Sequence, residues 1–166
     1  MLYNVNEIKR KVKSSLSSFR YKHTLAVALY AKKLAIIHGL NQEKAYVAGL
    51  LHDYAKELKD SQIIFITKNH PKFSKYPNVR TLHGIASAEL AKKEFGIVDH
   101  EILDAISQHV IPNKHCSKLV MIIYIADKTD INKTKYSNAI NPKQMQKLAA
   151  SNLRKAFRLT HKLTKR

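Results

Sequence analysis

An apolar helical stretch, Ala48 to Leu51, runs directly into the adjacent polar pair His52 and Asp53. Moving an unpaired carboxylate into an apolar interior is costly, so a chain that buries this stretch must supply a partner for Asp53. An imidazole and a carboxylate side by side can bind one metal ion or two neighbouring ions. A polar pair that turns to solvent at a helix end is the simpler interpretation, and the pair alone does not exclude it.

Other side chains that can bind metals stand near the ends of further predicted helical runs. They are His23 in the run 21–37, His83 in 81–95, His109 in 101–109 and Asp127 in 119–127. A histidine on a helix is most often an ordinary core or surface residue, and we interpret the other five histidines as core, surface or loop residues. They are His38, His70, His100, His115 and His161. Four histidines and two aspartates therefore form the candidate site.

The apolar residues recur at helical spacing through nearly the whole chain, and no strand pair or repeat stands out, which predicts an all-α fold. We expect helices over residues 5–16, 20–38, 42–58, 61–70, 82–95, 100–109, 118–130 and 142–162. Their predicted N-caps are Asn4, Asn41, Asp60 or Ser61, Thr81, Asp99 and Asn141. Gly39 and Gly96 are predicted to end the second and fifth helices, because glycine readily adopts the left-handed conformation.

A length of 166 residues favours one domain. We expect the metal-site core to cover about residues 18–130 and a C-terminal packing helix to cover about residues 141–163. The sequence has no apolar run long enough for a membrane span and no signal-peptide pattern. Cys116 is the only cysteine, which excludes a disulfide within the chain and fits a cytoplasmic location.

The formal net charge of +18 could indicate a nucleic-acid partner, a membrane surface or a polyanionic substrate. The lysines are spread through all segments, and no basic run is interleaved with aromatic residues as a stacking platform requires. We therefore favour a solvated lysine-rich surface that also helps to attract anionic nucleotides. A non-catalytic protein that binds nucleic acid through its charge is the alternative from another class, as is a structural module that accompanies a larger enzyme.

Several stretches resemble the HD-domain phosphohydrolases, and most closely their bacterial YqeK-type members, the symmetrical diadenosine tetraphosphatases. The matching stretches begin at Arg20 (Arg-Tyr-Lys-His-Thr-Leu), Ala48 (Ala-Gly-Leu-Leu-His-Asp-Tyr-Ala-Lys-Glu-Leu), Glu101 (Glu-Ile-Leu-Asp-Ala-Ile) and Ile122 (Ile-Ile-Tyr-Ile-Ala-Asp). The similarity runs in order from about the N-terminus to Asp130.

The resemblance implies an all-α, compact HD-domain helical bundle around a dinuclear metal site. It implies that the first metal ion is held by His23, His52, Asp53 and Asp127. Asp53 would bridge to a second metal ion, which His83 and His109 would hold. Nitrogen and oxygen ligands of this kind suit iron, manganese or cobalt, and the resemblance points to iron.

The resemblance also implies an enzyme that cleaves diadenosine tetraphosphate symmetrically to two ADP. Asp53 and Lys56 are then the expected catalytic residues. Lys56, Gly84, Lys114 and Lys133 are the expected substrate contacts. A homodimer is compatible with this prediction, whereas a membrane or nucleic-acid partner is not expected.

One departure from the family pattern follows His109. Family members carry a short Gly-Arg-Pro-Gly turn there, whereas this chain has Val-Ile-Pro-Asn-Lys, with Asn113 at the arginine position. After Asp127 the family tends to show Glu-Pro and an arginine, where this chain has Asp130, Ile131 and Lys133. We expect slower cleavage of diadenosine tetraphosphate than in a typical relative, and hydrolysis of another nucleotide phosphate is the enzymatic alternative.

Overall fold

The computed structural model describes residues 3–71, 73–75, 78–131 and 141–164. Within these ranges all regular elements are helical and no strand occurs, which confirms the all-α prediction. The helices are α1 Val5–Ser15, α2 Ser18–Ile37, α3 Gln42–Leu51, α4 Asp60–Thr67, α5 His83–Phe95, α6 His100–Ser107, α7 Lys118–Lys128, α8 Pro142–Ser151 and α9 Leu153–Thr164. Short 3-10 turns cover Phe73–Lys75 and Val79–Leu82.

Polar side chains cap most of these helices. The predicted caps that accept backbone N–H bonds at helix starts are Asn4, Asn41, Asp99 and Asn141. Each satisfies donors that have no intrahelical partner in the first turn. Two predicted caps are wrong. Lys59 occupies the cap position of α4, and Leu82 that of α5, where the Thr81 hydroxyl donates to the Asn78 carbonyl instead.

The third helix ends seven residues earlier than Leu58, the end that the sequence predicts, at Leu51. The chain then forms tight turns, in which Lys56 donates its backbone N–H to the Asp53 carbonyl. The backbone N–H of Ala55 bonds instead to the hydroxyl of Ser87, at 3.0 Å. A contact with α5 therefore replaces the intrahelical bond that would have continued α3.

Further helix ends differ from the predictions, and the fourth helix ends at Thr67 rather than residue 70. The sixth helix ends at Ser107, two residues before His109, and the seventh ends at Lys128 rather than residue 130. The predicted single C-terminal helix is interrupted at Asn152, whose backbone is extended at φ −148° and ψ 87°. The Asn152 side chain then accepts the backbone N–H of Lys155 at 3.0 Å, and so starts α9 as a separate helix.

The core is built around α7, whose residues from Leu119 to Asp127 are all buried. Helices α2 and α3 cross very closely, because a Cβ added at Gly49 would lie 2.5 Å from the Cα of Ala28. This packing brings the start of α2 and the chain just after α3 to the end of α7. Among the described residues, no helix combines the length and the apolar character that a membrane crossing requires.

Candidate metal centre

The structure brings the six predicted site residues together in the interior. They come from the second turn of α2, the chain just after α3, the start of α5, the chain just after α6 and the last turn of α7. All six are buried: His23, His52, Asp53, His83, His109 and Asp127. Their convergence from five positions along the chain explains why no single motif in the sequence reveals the whole site.

Asp53 lies between two groups of imidazoles. Its Oδ1 atom is 3.1 Å from Nε2 of His83 and 3.4 Å from Nε2 of His109. Its Oδ2 atom is 3.8 Å from Nε2 of His23 and 3.7 Å from Nε2 of His52. Each carboxylate oxygen therefore faces a different pair of ring nitrogens, an arrangement that a bridging carboxylate would require.

Asp127 adds a second carboxylate to one of these groups. Its Oδ1 atom is 3.2 Å from Nε2 of His23 and 3.8 Å from Nε2 of His52. The candidate ligand atoms of His23, His52 and Asp53 lie within 4.8 Å of one another. Those of Asp53, His83 and His109 meet the same limit. We name His23, His52, Asp53 and Asp127 the first half-site. We name Asp53, His83 and His109 the second half-site.

Backbone carbonyls orient three of the histidines. The Nδ1 atoms of His52, His83 and His109 lie 2.6–2.7 Å from the carbonyl oxygens of Gly49, Arg80 and Ile106, three residues earlier in each case. Because a carbonyl oxygen only accepts, each Nδ1 carries the proton. The lone pair of each Nε2 is therefore available to the centre.

His23 has a different partner. Its Nδ1 atom lies 2.6 Å from Oδ2 of Asp130, a buried carboxylate two residues after the end of α7. A carboxylate behind a ligating histidine fixes the ring and increases the basicity of its other nitrogen. Asp130 therefore orients the His23 ring and makes its Nε2 a stronger ligand for the first half-site.

The donor set fits metal ions. Nε2 of His52 is buried and has no hydrogen-bond partner among the described residues. Nε2 of His83 lies only 3.1 Å from Nε2 of His109. With Nδ1 protonated in both rings, two lone pairs then face each other and a carboxylate oxygen. The ammonium of Lys56, 3.3 Å from Nε2 of His83, offsets part of that repulsion. A bound metal ion would offset it further, since mixed imidazole and carboxylate ligands suit divalent metals.

Burial keeps the imidazole of His109 neutral, because it lowers the pKa of that group to about 3. Burial would raise the pKa of Asp53, but the neighbouring rings of His52, His109 and His83 outweigh it and hold that pKa well below its usual range. A neutral His109 beside an ionised Asp53 is the pair of protonation states that metal binding requires.

Two cations next to the cluster were not expected from the sequence. Nη1 of Arg20 lies 2.9 Å from Oδ2 of Asp53, and Nζ of Lys128 lies 2.8 Å from Oδ2 of Asp127. Arg20 stands one helical turn before His23, a spacing that could have indicated it. Lys128 had no comparable signal. Burial alone would lower the pKa of Lys128, but Asp127 outweighs it and the pKa is raised.

The four expected substrate contacts lie in different places. Lys56 approaches the second half-site, with Nζ 3.3 Å from Nε2 of His83. Gly84 faces protein, since an added Cβ would lie 3.0 Å from the Ser107 carbonyl and 3.2 Å from Nδ1 of His109. Lys114 lines a separate cleft against α9. Lys133 lies outside the described residues, and a substrate role for all four stays a prediction.

Comparisons with known proteins agree with this geometry. A sequence model described as HD domain matches residues 20–132. The chain is 40% identical over 153 residues to a probable nicotinate-nucleotide adenylyltransferase/Ap4A hydrolase of Mycoplasma genitalium, covering 91% of this chain and 44% of that protein. It is 33% identical over 132 residues to a symmetrical bis(5'-nucleosyl)-tetraphosphatase of Bacillus subtilis, covering 78% and 71%.

A solved structure is also similar. It is the crystal structure of a predicted HD superfamily hydrolase involved in NAD metabolism from Clostridium acetobutylicum. It has a TM-score of 0.83 and 35% sequence identity, covering 94% of this chain and 82% of that one. The chain spans less than half the length of the Mycoplasma relatives it matches. The chain belongs to the HD domain family, and its relatives there include the symmetrical bis(5'-nucleosyl)-tetraphosphatases.

Proposed function

We propose that the protein is a metal-dependent phosphohydrolase that cleaves dinucleoside polyphosphates, with diadenosine tetraphosphate cut symmetrically to two ADP. The observation that carries the proposal is Asp53, whose two carboxylate oxygens face two separate pairs of imidazole nitrogens. A bridging carboxylate is what two close cations need in order to share one centre. The names of the relatives support the choice of substrate.

In this proposal the first metal ion is held by His23, His52, Asp53 and Asp127, and the second by Asp53, His83 and His109. Iron is the proposed metal, with manganese or cobalt as substitutes, because the ligands are nitrogen and oxygen atoms without a thiolate. When bound, two such ions acidify water and stabilise the attacking and leaving oxygens of an in-line displacement.

The chain's own residues orient the ligands and the substrate. Hydrogen bonds at Nδ1 hold each imidazole with Nε2 toward the centre, so the donor set is preorganised. Arg20 and Lys56 add positive charge at the edge of the cluster, at 2.9 Å from Asp53 and 3.3 Å from His83. A guanidinium can pair with two phosphate oxygens, and an ammonium can pair with one. We assign these two side chains to the phosphates next to the scissile bond.

The altered loop after His109 favours a second candidate substrate, another nucleotide phosphate. Asn113 is neutral and short, and its backbone N–H donates to Oε1 of Gln108 at 3.2 Å. It cannot replace the charged fork of an arginine. Losing one charge-assisted contact is commonly worth about 1.5–3 kcal/mol. Changing Pro112→Gly and Asn113→Arg together should raise kcat/KM for diadenosine tetraphosphate, unless another nucleotide is the natural substrate.

The test is a panel of mononucleotides and dinucleoside polyphosphates, incubated with metal-loaded protein and with chelator-treated protein. Products are separated by chromatography. We expect ADP as the only nucleotide product from diadenosine tetraphosphate, with hydrolysis restricted to the metal-loaded protein. Unequal products such as AMP and ATP would contradict symmetrical cleavage. No turnover of any nucleotide by protein with full metal content would favour the non-catalytic alternative.

A further inference from the structure

A second cleft lies beside the loop that follows His109, and none of the six residues of the candidate metal centre lines it. It separates the loop 112–116 from α9 and has a volume of about 930 Å³. Six basic side chains line it: Lys114, His115, Arg154, Arg158, His161 and Lys162. We name it the C-terminal cleft. The α9 residues that line it follow residue 132, the end of the match to the HD domain family, so the family resemblance assigns them no role.

The cations of α9 lie on one face of that helix. Arg154, Arg158 and Lys162 are exposed and four residues apart, a spacing that places like charges side by side. Within the described part of the chain, no carboxylate oxygen lies within 4.0 Å of their nitrogen atoms, whereas Lys44 pairs with Asp99 at 2.7 Å. Such a row of like charges destabilises a helix, so a bound anion would offset a cost that the free protein carries.

The sequence supplies no counterion for this cleft. After Asp104 the chain contains only two acidic residues, Asp127 and Asp130. Both lie at the candidate metal centre and are buried there. Residues 131–166 contain ten lysines and arginines and no acidic residue. Any anion that neutralises the C-terminal cleft must therefore come from outside this segment.

The interior of the cleft is apolar. Met121 and Phe157 line it and are buried, and Cys116 beside them is partly buried. The His161 ring stacks on Phe157, with ring centroids 5.7 Å apart and planes inclined by 10°. Apolar lining with a few charged groups at the edge, in a cavity of several hundred cubic ångströms, is typical of sites for small molecules.

We propose that the C-terminal cleft is a second nucleotide site, which binds a nucleoside polyphosphate with its phosphates along α9 and its base over the apolar lining. From residue 154 to residue 162 the helix rises by about 12 Å, a length that suits a short chain of phosphates. A nucleic-acid interface with about six to ten phosphate contacts needs more permanent cations than the lysines and arginines that line this cleft. The proposal needs no metal and does not depend on the hydrolytic function.

The first test is calorimetric titration of chelator-treated protein with ATP, so that the metal centre contributes no metal-dependent binding. The double variant Arg154→Gln/Arg158→Gln should bind ATP at least ten-fold more weakly, because charge-assisted contacts of this kind are worth roughly ten-fold or more each. The matched control is Lys147→Gln/Lys155→Gln, which removes two exposed charges that do not line the cleft. Equal losses in the two variants would overturn the proposal, since net charge alone would then explain binding.

The second test uses competing anions. Inorganic tripolyphosphate should bind at least ten-fold more weakly than ATP, because it lacks the base that the apolar lining would contact. Equal affinity would overturn the assignment of a nucleoside. A single-stranded oligonucleotide that binds more tightly than ATP and displaces it would also overturn the proposal, and would identify the cleft as part of a nucleic-acid surface.

The third test locates the ligand. Cys116 is the only cysteine of the chain and lines the cleft, so the rate at which a thiol reagent modifies the protein reports on this cleft alone. Saturating ATP should slow modification several-fold in the wild type and in Lys147→Gln/Lys155→Gln. Binding of ATP without protection of Cys116 would place the nucleotide elsewhere and overturn the proposal. Circular dichroism confirms that each variant is folded.

Discussion

The two half-sites of the candidate metal centre differ in how they are built. In the first, His23 and His52 face the carboxylate of Asp127, and Asp130 stands behind His23 at 2.6 Å. In the second, carbonyl oxygens stand behind His83 and His109, and the shared Asp53 is the one carboxylate in contact with them among the described residues.

The two half-sites also differ in the number of charged groups around them. The first half-site has two acidic groups in addition to Asp53, whereas the second has none and lies beside the ammonium of Lys56. Cations near the first half-site, Arg20 and Lys128, are each paired with a carboxylate. We therefore expect the first half-site to bind a divalent cation more tightly, and the second to lose its metal first.

Removing the shared carboxylate should have the largest effect. Asp53→Ala deletes the group that both half-sites use, so we expect hydrolysis to fall by more than the roughly 10- to 100-fold typical of an outer partner. Asp104→Ala, which removes an exposed carboxylate, is the control. Activity assays with circular dichroism check this prediction. A folded Asp53→Ala variant with near-normal turnover would show that Asp53 is not the bridge.

Single histidine variants test whether the two half-sites differ in metal affinity. His109→Gln should retain close to one metal ion per chain, because the first half-site stays intact. His23→Gln should retain less, because only the weaker half-site remains complete. Elemental analysis after dialysis against a mild chelator gives the two values. Equal metal content in the two variants would remove the proposed difference between the half-sites.

Asp130 tests whether the outer carboxylate contributes. Asp130→Asn keeps the shape but weakens the acceptor at Nδ1 of His23, so we expect metal affinity at the first half-site to fall about 10- to 100-fold. Asp104→Asn is again the control. Competition with a colorimetric chelator measures the affinity. An unchanged affinity would mean that a neutral carbonyl acceptor at Nδ1 of His23 supports metal binding as well as the carboxylate of Asp130 does.

The smallest effect is the pH dependence of the metal-free protein. The pKa of His109 is about 3 in the folded protein and about 6.5 in the unfolded chain, so the unfolded state binds an extra proton between these values. Stability should therefore fall as the pH drops below about 6.5, by up to about 1.4 kcal/mol per pH unit. The depressed pKa of Asp53 acts in the same direction below its unfolded value of 3.8.

Thermal unfolding at pH 7.5 and pH 5.5 measures this slope in the absence of metal. His109→Gln should flatten it, because the substituted side chain does not titrate. The same slope in wild type and variant would mean that other groups dominate this pH range. Metal-loaded protein should be more stable at pH 7.5 and should lose that advantage at low pH, since protons compete for the imidazoles.

The helices and the candidate members of the site could be predicted from the sequence. Apolar spacing placed the helices, and Asn4, Asn41 and Asp99 marked helix starts, because capping depends on residues only three positions apart. The six site residues could be selected because the pattern around them resembles a known family. Their distances to one another could not be obtained this way, since the residues lie as much as 104 positions apart.

Tertiary structure decided the rest, wherever a polar group had two available partners. The third helix stops at Leu51 because Ser87, 32 residues away from Ala55, takes the backbone N–H that would have extended it. Asp130 is a support for His23 only because the fold brings together residues 107 positions apart. The close approach at Gly84 is made by the Ser107 carbonyl and the His109 ring. The local spacing of apolar residues predicts which face of a helix is buried. The hydrogen-bond or ion-pair partner of each polar group depends on long-range packing.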